Sequence, residues 1–490
     1  MRSPSNPTSL VVGESSKCVE GADLSNYKDQ LIKDRNSRTL NMRRLARPKI
    51  SSISSKGSGF VSHTELQINR SIKSEEIIRG IDNRDSSVIQ GVIGFCFDLT
   101  IKIRKEIEYV FKNQAIIEKA VESLNDSNDS SFCITMINMI KIIFPIVDEA
   151  TQHCFIDHDL IFSLLSFLYH ENLSLRVSCA NLVSVLSEVS GYARDGFISF
   201  GLHSVLMEVA ASDENTNLME AACEAIQRIF SNEDPIETSI IMESIRPLSE
   251  LLRLSSIPAL VSILNSFIEV TNKVPSVVFI IYDYNMFPQI FSLLEYSELF
   301  ETVLSLIGNL CVSNPPQIRS LLELGLFSVL DANLTSKFAS KAFWIFSNML
   351  ESVPEMMISW FPREFIESII DTIDSFSLEL KKEAVYFLCT MVLFSDAILL
   401  MSFMHSKFAD SISEMIGCGI SAVSIRCIDA LIRFLQVYNF NNQGVEFVLF
   451  LINTDILDRL RELSDINDSI ITERAIYIAN QLESFSVYDK

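Results

Sequence analysis

The chain contains 490 residues, of which 48% are hydrophobic, and it carries a formal net charge of −22. A chain this apolar, with a mean hydropathy of +0.26, can bury enough surface that wholesale disorder is excluded. Its acidity argues against general nucleic-acid binding by the whole molecule. Gly (15) and Pro (13) are scarce, which favours a helical protein over a turn-rich β protein.

The first 60 residues differ in charge from the rest of the chain. They hold 11 Lys and Arg against 5 Asp and Glu, a net charge of +6. The other 430 residues hold the remaining 29 basic and 57 acidic side chains, a net charge of −28. Because residues 1–60 are also rich in Ser and Asn, we expect a disordered basic arm that ends in a flexible linker. Such an arm binds a partner of its own or folds back onto the acidic body, residues 61–490.

From residue 73 onwards, apolar runs with helical spacing alternate with short polar segments. Similar passages recur, and one equivalent residue can be chosen in each, which we call a rung position. The rung positions are Asn138, Asn181, Glu224, Asn265, Ser305, Trp344, Tyr386 and Asp429, separated by 43, 43, 41, 40, 39, 42 and 43 residues. Armadillo and HEAT repeats have periods of about 40–47 residues. We therefore predict an all-α fold, a right-handed superhelical solenoid of about ten armadillo repeats, in which one helix per repeat lines a groove for an extended peptide.

Several passages resemble importin-alpha, the nuclear-import adaptor built from armadillo repeats. The segment SKAFWIFSNML (340–350) carries a Trp followed four residues later by an Asn, like the W-x-x-x-N pattern of the family's groove helices. Further family motifs are matched in the same register by YARDGFISFG (192–201), KKEAVYFLCT (381–390) and DILDRLRELSDINDSIITERAIYIANQLES (455–484). The resemblance spans most of residues 75–485. It implies an adaptor that links cargo proteins with basic nuclear localisation signals to importin-beta and shuttles between cytoplasm and nucleus.

The basic arm resembles the family's importin-beta-binding segment, although its run of arginines is shorter. The residues that this resemblance assigns to importin-beta binding or to autoinhibition are Lys33, Arg35, Arg38, Arg43, Arg44, Arg47 and Lys49. When free, the arm is expected to lie in the protein's own acidic groove, and importin-beta is expected to remove it. The resemblance also implies a dedicated exportin that returns the adaptor to the cytoplasm.

The sequence departs from the family on the second to fourth repeats, where the main cargo site of importin-alpha lies. The family's Trp/Asn pairs are replaced there by Asn138/Ile142, Asn181/Val185 and Glu224/Arg228. We therefore expect these repeats to contribute little to the binding of a lysine-rich signal.

The sixth to eighth repeats keep more of the family's pattern, so we predict that the cargo peptide binds there. The predicted contacts are Asn309, Trp344, Asn348, Glu383 and Tyr386. An indole face can hold a lysine stem and make a cation–π contact. Carboxamides can clamp an extended backbone, and a carboxylate can pair with an ammonium group. Trp344 alone would more often be a core residue, but its place in the repeat register favours the groove.

The sequence offers little to catalysis, to metals or to a membrane. It lacks P-loop, G-x-S-x-G and H-E-x-x-H motifs, and the closest histidines, His153 and His158, are poorly spaced for one helix face. The ten cysteines include no C-x-x-C pair and lie mostly in apolar runs, as reduced core thiols do. The apolar stretch 384–404 contains Asp396, which argues against a membrane span. We predict no enzymatic activity, no cofactor, no metal and no membrane insertion.

One alternative stays open on the sequence alone. The missing Trp/Asn pairs on the second to fourth repeats also suit an armadillo-repeat scaffold that has lost signal recognition and organises another complex.

Overall fold

The structure is a computed structural model, and it describes residues 73–96, 101–126, 129–157, 159–212, 215–440, 451, 454–463 and 468–486. The basic arm and its predicted importin-beta-binding residues lie outside the described residues. All regular elements in the described part of the chain are helical. The α-helices are α1 (Ser74–Asp82), α2 (Ser86–Cys96), α3 (Ile101–Phe111), α4 (Gln114–Asp126), α5 (Ser130–Ile143), α6 (Glu149–Asp157), α7 (Leu160–Leu168), α8 (Leu173–Val189), α9 (Gly191–Ser199), α10 (Leu202–Ser212), α11 (Thr216–Ser231), α12 (Thr238–Leu251), α13 (Ile257–Lys273), α14 (Val277–Asp283), α15 (Phe287–Ser292), α16 (Phe300–Leu310), α17 (Pro315–Glu323), α18 (Leu326–Ala332), α19 (Ala339–Ser352), α20 (Pro354–Met357), α21 (Arg363–Thr372), α22 (Leu378–Phe394), α23 (Ala397–Leu400), α24 (Ser406–Ile416), α25 (Ser421–Phe440), α26 (Ile456–Leu463) and α27 (Ser469–Ser486).

Ten of these helices pack in chain order into one continuous row, which we call the ladder. The ladder helices are α2, α5, α8, α11, α13, α16, α19, α22, α25 and α27. Each rung position lies on a different ladder helix, from Asn138 on α5 to Asp429 on α25. Buried apolar side chains form one core from Ile77 to Leu482, because each repeat covers its apolar faces with its neighbours. The predicted all-α solenoid of about ten repeats is confirmed.

Polar residues mark where several ladder helices begin. The capping residues are Asp129, Asn172, Asn215, Ser256 and Ser377, directly before α5, α8, α11, α13 and α22. Asn172 Oδ1, for example, accepts a hydrogen bond from the Leu175 N–H at 3.2 Å. Each cap satisfies one of the N–H groups that the first helical turn leaves without a partner, so the polar segments between the apolar runs fix where these helices start.

The opposite ends of the ladder helices are satisfied by the next repeat. Side chains on, or directly after, one ladder helix donate hydrogen bonds to carbonyls near the end of the preceding one. These donors are Asn232 (to Ser187 O, 2.7 Å), Lys273 (to Phe230 O, 2.6 Å), Asn309 (to Ile268 O, 3.4 Å), Ser352 (to Cys311 O, 2.8 Å) and Arg433 (to Ser395 O, 3.3 Å). The last carbonyls of a helix have no partner within it, so the bonds to Ser187, Phe230, Cys311 and Ser395 join neighbouring repeats at groups that would otherwise stay open. Ile268 O also accepts a hydrogen bond from Thr271 Oγ1 at 3.0 Å.

Residues 232–237 form a loop between α11 and α12. In other repeats a short helix follows the ladder helix at this place, as α9 follows α8. Arg194 on α9 is fully buried and holds this loop. Its guanidinium donates to Asp234 O at 2.9 Å and to Pro235 O at 3.2 Å, and its Nε donates to the Asp195 carboxylate at 2.6 Å. A buried guanidinium is stable only when its donors are satisfied, and the loop carbonyls do this here.

The cysteines behave as core residues. The nine in the described part of the chain are free thiols, of which seven are buried and two are half-buried. Burial raises the pKa of Cys96 to about 11 and that of Cys223 to about 12. A reactive thiol needs a lowered pKa instead, so Cys96 and Cys223 lack this property of a reactive thiol. The burial of the free cysteines agrees with the prediction of core thiols.

The apolar stretch 384–404 does not form one helix, because α22 ends at Phe394 and the short α23 begins only at Ala397. Among the described residues, no single helix is long and apolar enough to cross a membrane. One pair of helical segments, Val277–Asp283 and Phe287–Glu295, together has the length and composition of a membrane span, but the two segments are bent by 91° relative to each other.

Candidate peptide-binding groove

The rung positions differ in exposure along the ladder. On α5 to α13 all four keep solvent-accessible side chains, namely Asn138, Asn181, Glu224 and Asn265. Beyond α13 three of four are buried, namely Ser305, Tyr386 and Asp429. Trp344 on α19 is half-buried and is the exception. We call the surface formed by the rung positions the ladder face. Its solvent-accessible part lies mainly on α5 to α13, and Trp344 on α19 is a separate accessible position.

Trp344 covers a glycine on the preceding ladder helix. A methyl group at Gly308 would lie 1.8 Å from Cζ3 of the indole, so the ring occupies the space that any other residue would fill. Asn348, one turn after Trp344, donates from Nδ2 to Gly308 O at 2.9 Å and is only 3% exposed. The Trp/Asn pair therefore joins α19 to α16 and leaves part of the indole accessible. The prediction that Asn348 clamps a cargo backbone is corrected, because its Nδ2 bonds inside the protein and the residue is buried.

Asn309 is a contact between repeats and does not line the accessible surface. Its Nδ2 donates to Thr271 Oγ1 and to Asn272 Oδ1, both at 2.9 Å, on the preceding ladder helix. The residue is 0% exposed. The prediction that Asn309 clamps a cargo backbone is therefore corrected, because its donors are used inside the protein and none of its surface reaches solvent.

Tyr386 is also 0% exposed, and it belongs to a buried polar cluster. Its hydroxyl donates to Glu351 Oε1 at 2.9 Å. Arg426 Nη2 donates to the same oxygen at 2.8 Å and to the Tyr386 hydroxyl at 3.0 Å, and the guanidinium lies 5.0 Å from the centre of the tyrosine ring. We call Glu351, Tyr386 and Arg426 the buried triad. It joins α19, α22 and α25, so the prediction that Tyr386 contacts cargo is corrected as well.

Further charges stabilise the cation of the buried triad. Burial opposes the charge of Arg426, but Tyr386, Glu351 and Asp429 outweigh this effect and raise the pKa of Arg426 above its usual value. Asp429 accepts two hydrogen bonds from Arg474 Nη1, at 2.7 and 2.8 Å. Sequence reasoning missed this cluster, although a charged residue inside the apolar run VSIRCIDALI (423–432) is a visible signal.

Of the five predicted cargo contacts, Trp344 and Glu383 keep accessible surface. Lys341, one turn before Trp344, donates to Ser305 Oγ at 2.8 Å and lies 3.4 Å from the Glu301 carboxylate. This lysine therefore pairs with the preceding ladder helix, and Glu383 is the one predicted cargo contact that carries a negative charge.

A depression of about 530 Å³ lies between α5, α8 and α11, and we call it the α8 depression. Its lining residues are Lys141, Ile142, Pro145, Asn181, Ser184, Val185 and Glu224. The sequence predicted no site here, because these repeats lack the Trp/Asn pairs of the family. The sequence signal for the depression was that small and aliphatic residues stand on these ladder helices, where a large aromatic side chain would have filled the space.

Charges beside the α8 depression neutralise one another. Arg228 Nη1 lies 2.8 Å from the Glu188 carboxylate, and its Nη2 lies 3.7 Å from that of Glu224. Lys141 contributes a second positive charge to the lining. Two carboxylates and two cations therefore balance locally, although the chain as a whole is strongly acidic.

Metal-binding chemistry finds no support in the described ranges, where no group of three or more His, Cys, Asp or Glu side chains could hold an ion.

Comparison with protein-family models and with curated proteins finds no match. The chain is similar in structure to two engineered proteins whose crystal structures come from the Northeast Structural Genomics Consortium. The first is 15% identical, covers 84% of this chain and 98% of its own, and superposes with a TM-score of 0.64. The second is 17% identical, covers 49% of this chain and 96% of its own, and has a TM-score of 0.42. The first likeness supports the helical solenoid fold and nothing more specific.

Proposed function

We propose that the protein is a nuclear-import adaptor that binds a basic nuclear localisation signal on its ladder face and importin-beta through its basic arm. The observation that carries this proposal is the accessible indole of Trp344 on a ladder helix, one turn before Asn348. This is the arrangement that the resemblance to importin-alpha implies. The partly accessible carboxylate of Glu383 lies on the next ladder helix and can pair with an ammonium group of the signal.

The dimensions of the ladder suit an extended peptide. Such a peptide rises about 3.3 Å per residue, and packed helices lie about 10 Å apart. About three peptide residues therefore separate two neighbouring ladder helices. A lysine stem on Trp344 gains about 0.5–2 kcal/mol from the cation–π contact. Because Asn309, Asn348 and Tyr386 are buried, this site is smaller than the sequence predicted.

Binding of importin-beta tests the part of the proposal that concerns the basic arm. Immobilised importin-beta should retain the full-length protein, and alanine at Arg43, Arg44, Arg47 and Lys49 should remove most of this binding, because these cations form the basic run of the arm. A full-length protein that passes through the importin-beta column unretained would contradict the adaptor function.

Titration of a fluorescent basic peptide tests the part of the proposal that concerns the ladder face. Trp344→Ala should weaken binding by about 1–2 kcal/mol, about five- to thirtyfold, through lost stacking. Trp360→Ala is the matched control, because Trp360 is 43% exposed but lies outside the ladder helices, in a short 3₁₀ turn. If both variants bind as tightly as the parent protein, the cargo site is not at Trp344.

A second candidate function is favoured by the burial of Asn309, Asn348 and Tyr386, which removes three predicted cargo contacts. The protein would then be a scaffold whose ladder face binds a partner without a basic signal. Retention on importin-beta together with saturable binding of the basic peptide would exclude this scaffold function.

A further inference from the structure

Three ladder asparagines expose carboxamides that no other described residue uses. Asn138, Asn181 and Asn265 occupy rung positions on α5, α8 and α13 and are partly solvent-accessible. No described residue forms a hydrogen bond with their side chains, in contrast to Asn309 and Asn348, whose carboxamides join neighbouring repeats. A free carboxamide offers both a donor and an acceptor, which is what the backbone of an extended peptide requires.

The α8 depression lies beside the second of these carboxamides, and three of its seven lining residues are aliphatic. Ile142 and Val185 are half-buried and Pro145 is exposed, so their apolar surfaces remain in contact with water. A volume of about 530 Å³ falls within the range of sites that hold ligands in proteins. An aliphatic side chain placed here removes apolar surface from water on both sides of the contact.

The charge at this place selects against lysine. The carboxylates of Glu188 and Glu224 already share the guanidinium of Arg228, and Lys141 lines the same depression. An incoming ammonium group would meet a like charge and no carboxylate that is free of a cation. Uncharged side chains fit this balance without breaking an ion pair.

We infer that the α8 depression binds an uncharged aliphatic side chain of an extended partner peptide. The backbone of this peptide is held by the carboxamides of Asn138, Asn181 and Asn265. This inference rests on the proposed function, since both require the ladder face to bind extended peptides. It adds a second contact of different chemistry, separate from the lysine contact at Trp344. The partner it describes carries adjacent aliphatic residues in a neutral segment.

Fluorescence anisotropy with the full-length protein tests the inference with two labelled probes. One probe is a neutral Ser/Gly peptide with a central Leu-Ile pair, and the matched probe carries Lys-Lys in that place. Val185→Glu should weaken binding of the Leu-Ile probe at least tenfold, and Asn181→Ala about three- to tenfold. Thr302→Glu on α16 is the matched control, because it adds the same charge at a partly exposed position outside the depression, and it should leave the Leu-Ile probe unaffected.

The outcomes separate this inference from the proposed function. A Leu-Ile probe that binds the parent and the Val185→Glu variant equally, or that does not bind at all, overturns the inference. If a basic signal peptide still binds in a Trp344-dependent way, the adaptor function stands. If no probe binds, both the inference and the adaptor function fall.

Two other results would overturn the partner assignment. Displacement of the Leu-Ile probe by a synthetic peptide of residues 1–60 would assign the depression to the protein's own arm. A dimer that Val185→Glu dissociates would assign it to a second copy of the chain. Asn181→Ala keeps the test valid if circular dichroism shows that Val185→Glu does not fold.

Discussion

Gly308 lies beneath the ring of Trp344, and this contact gives the glycine a role that its place inside a helix does not reveal. Gly308→Ala would bring a methyl group to 1.8 Å from the indole, so the ring or the backbone has to move. We expect a loss of about 1–3 kcal/mol in the free energy of unfolding, the usual cost of overpacking. Urea denaturation followed by tryptophan fluorescence would measure it.

Gly91 on α2 is the matched control for this prediction, because a methyl group there would meet no atom within 4 Å. Gly91→Ala should stabilise the protein by about 0.5–1 kcal/mol, since alanine loses less conformational entropy in a helix. Equal effects of the two substitutions would mean that the indole moves aside without cost.

We expect the stability of the protein to depend on pH through a single residue, His203 on α10. No described residue forms a hydrogen bond with its buried Nδ1. Burial lowers the pKa of His203 below its usual 6.5, against an opposing effect of Glu243. The unfolded chain therefore takes up a proton at a higher pH than the folded protein does. The contribution of His203 to stability is present above the unfolded pKa, and it decreases as the pH falls from there to the folded pKa.

The variant His203→Leu removes this titration. Denaturation between about pH 7.5 and pH 5 should show that the parent loses more stability on acidification than the variant does. Parallel pH profiles for the two proteins would show that His203 takes up its proton equally well in the folded state.

At the scale of the helices, the buried triad joins three successive repeats through one carboxylate. Arg426→Met leaves Glu351 as a buried charge without its cation, and we expect a loss of about 3–5 kcal/mol. Tyr386→Phe removes only the hydroxyl and should cost about 0.5–1.5 kcal/mol. Chemical denaturation of the two variants would measure both losses.

The double variant Arg426→Met with Glu351→Leu is the control, because it removes both charges. Replacing a buried ion pair by apolar residues is often neutral, so the double variant should recover most of the stability that Arg426→Met loses. If it is as unstable as the single variant, the loss comes from packing rather than from the uncompensated carboxylate.

At the scale of the whole molecule, the distribution of charge should make the basic arm a competitor of a basic peptide for the acidic body. Residues 1–60 carry a net charge of +6 and the rest of the chain −28. Under the proposed function, deletion of residues 1–50 should raise the affinity for a basic peptide, because a tethered competitor is removed. The affinity should also fall as salt is added, since exposed charges are screened over about 8 Å at physiological ionic strength. Anisotropy titrations of both proteins at several salt concentrations would measure the two effects. Identical affinities would refute autoinhibition and leave importin-beta binding open.

The sequence by itself determined the repeat architecture. A period of 39–43 residues places each rung position on a different ladder helix, and the capping residues follow the same spacing, as at Asn172 and Asn215. These features are local, because helix starts depend on residues within one turn and the apolar period repeats along the chain. The basic arm and its contrast with the acidic body are equally a property of the sequence.

Only the tertiary structure decided which rung positions a ligand can reach. Asn309 and Tyr386 have the residue types of a peptide site, yet both are buried by side chains from other repeats. Asn309 is covered by residues 37 to 41 positions away, and Tyr386 lies between Glu351 and Arg426, which are 75 positions apart. The α8 depression likewise forms only where α5, α8 and α11 meet. Exposure depends on how neighbouring repeats pack against each other, and the residue type and spacing within one repeat do not contain that information.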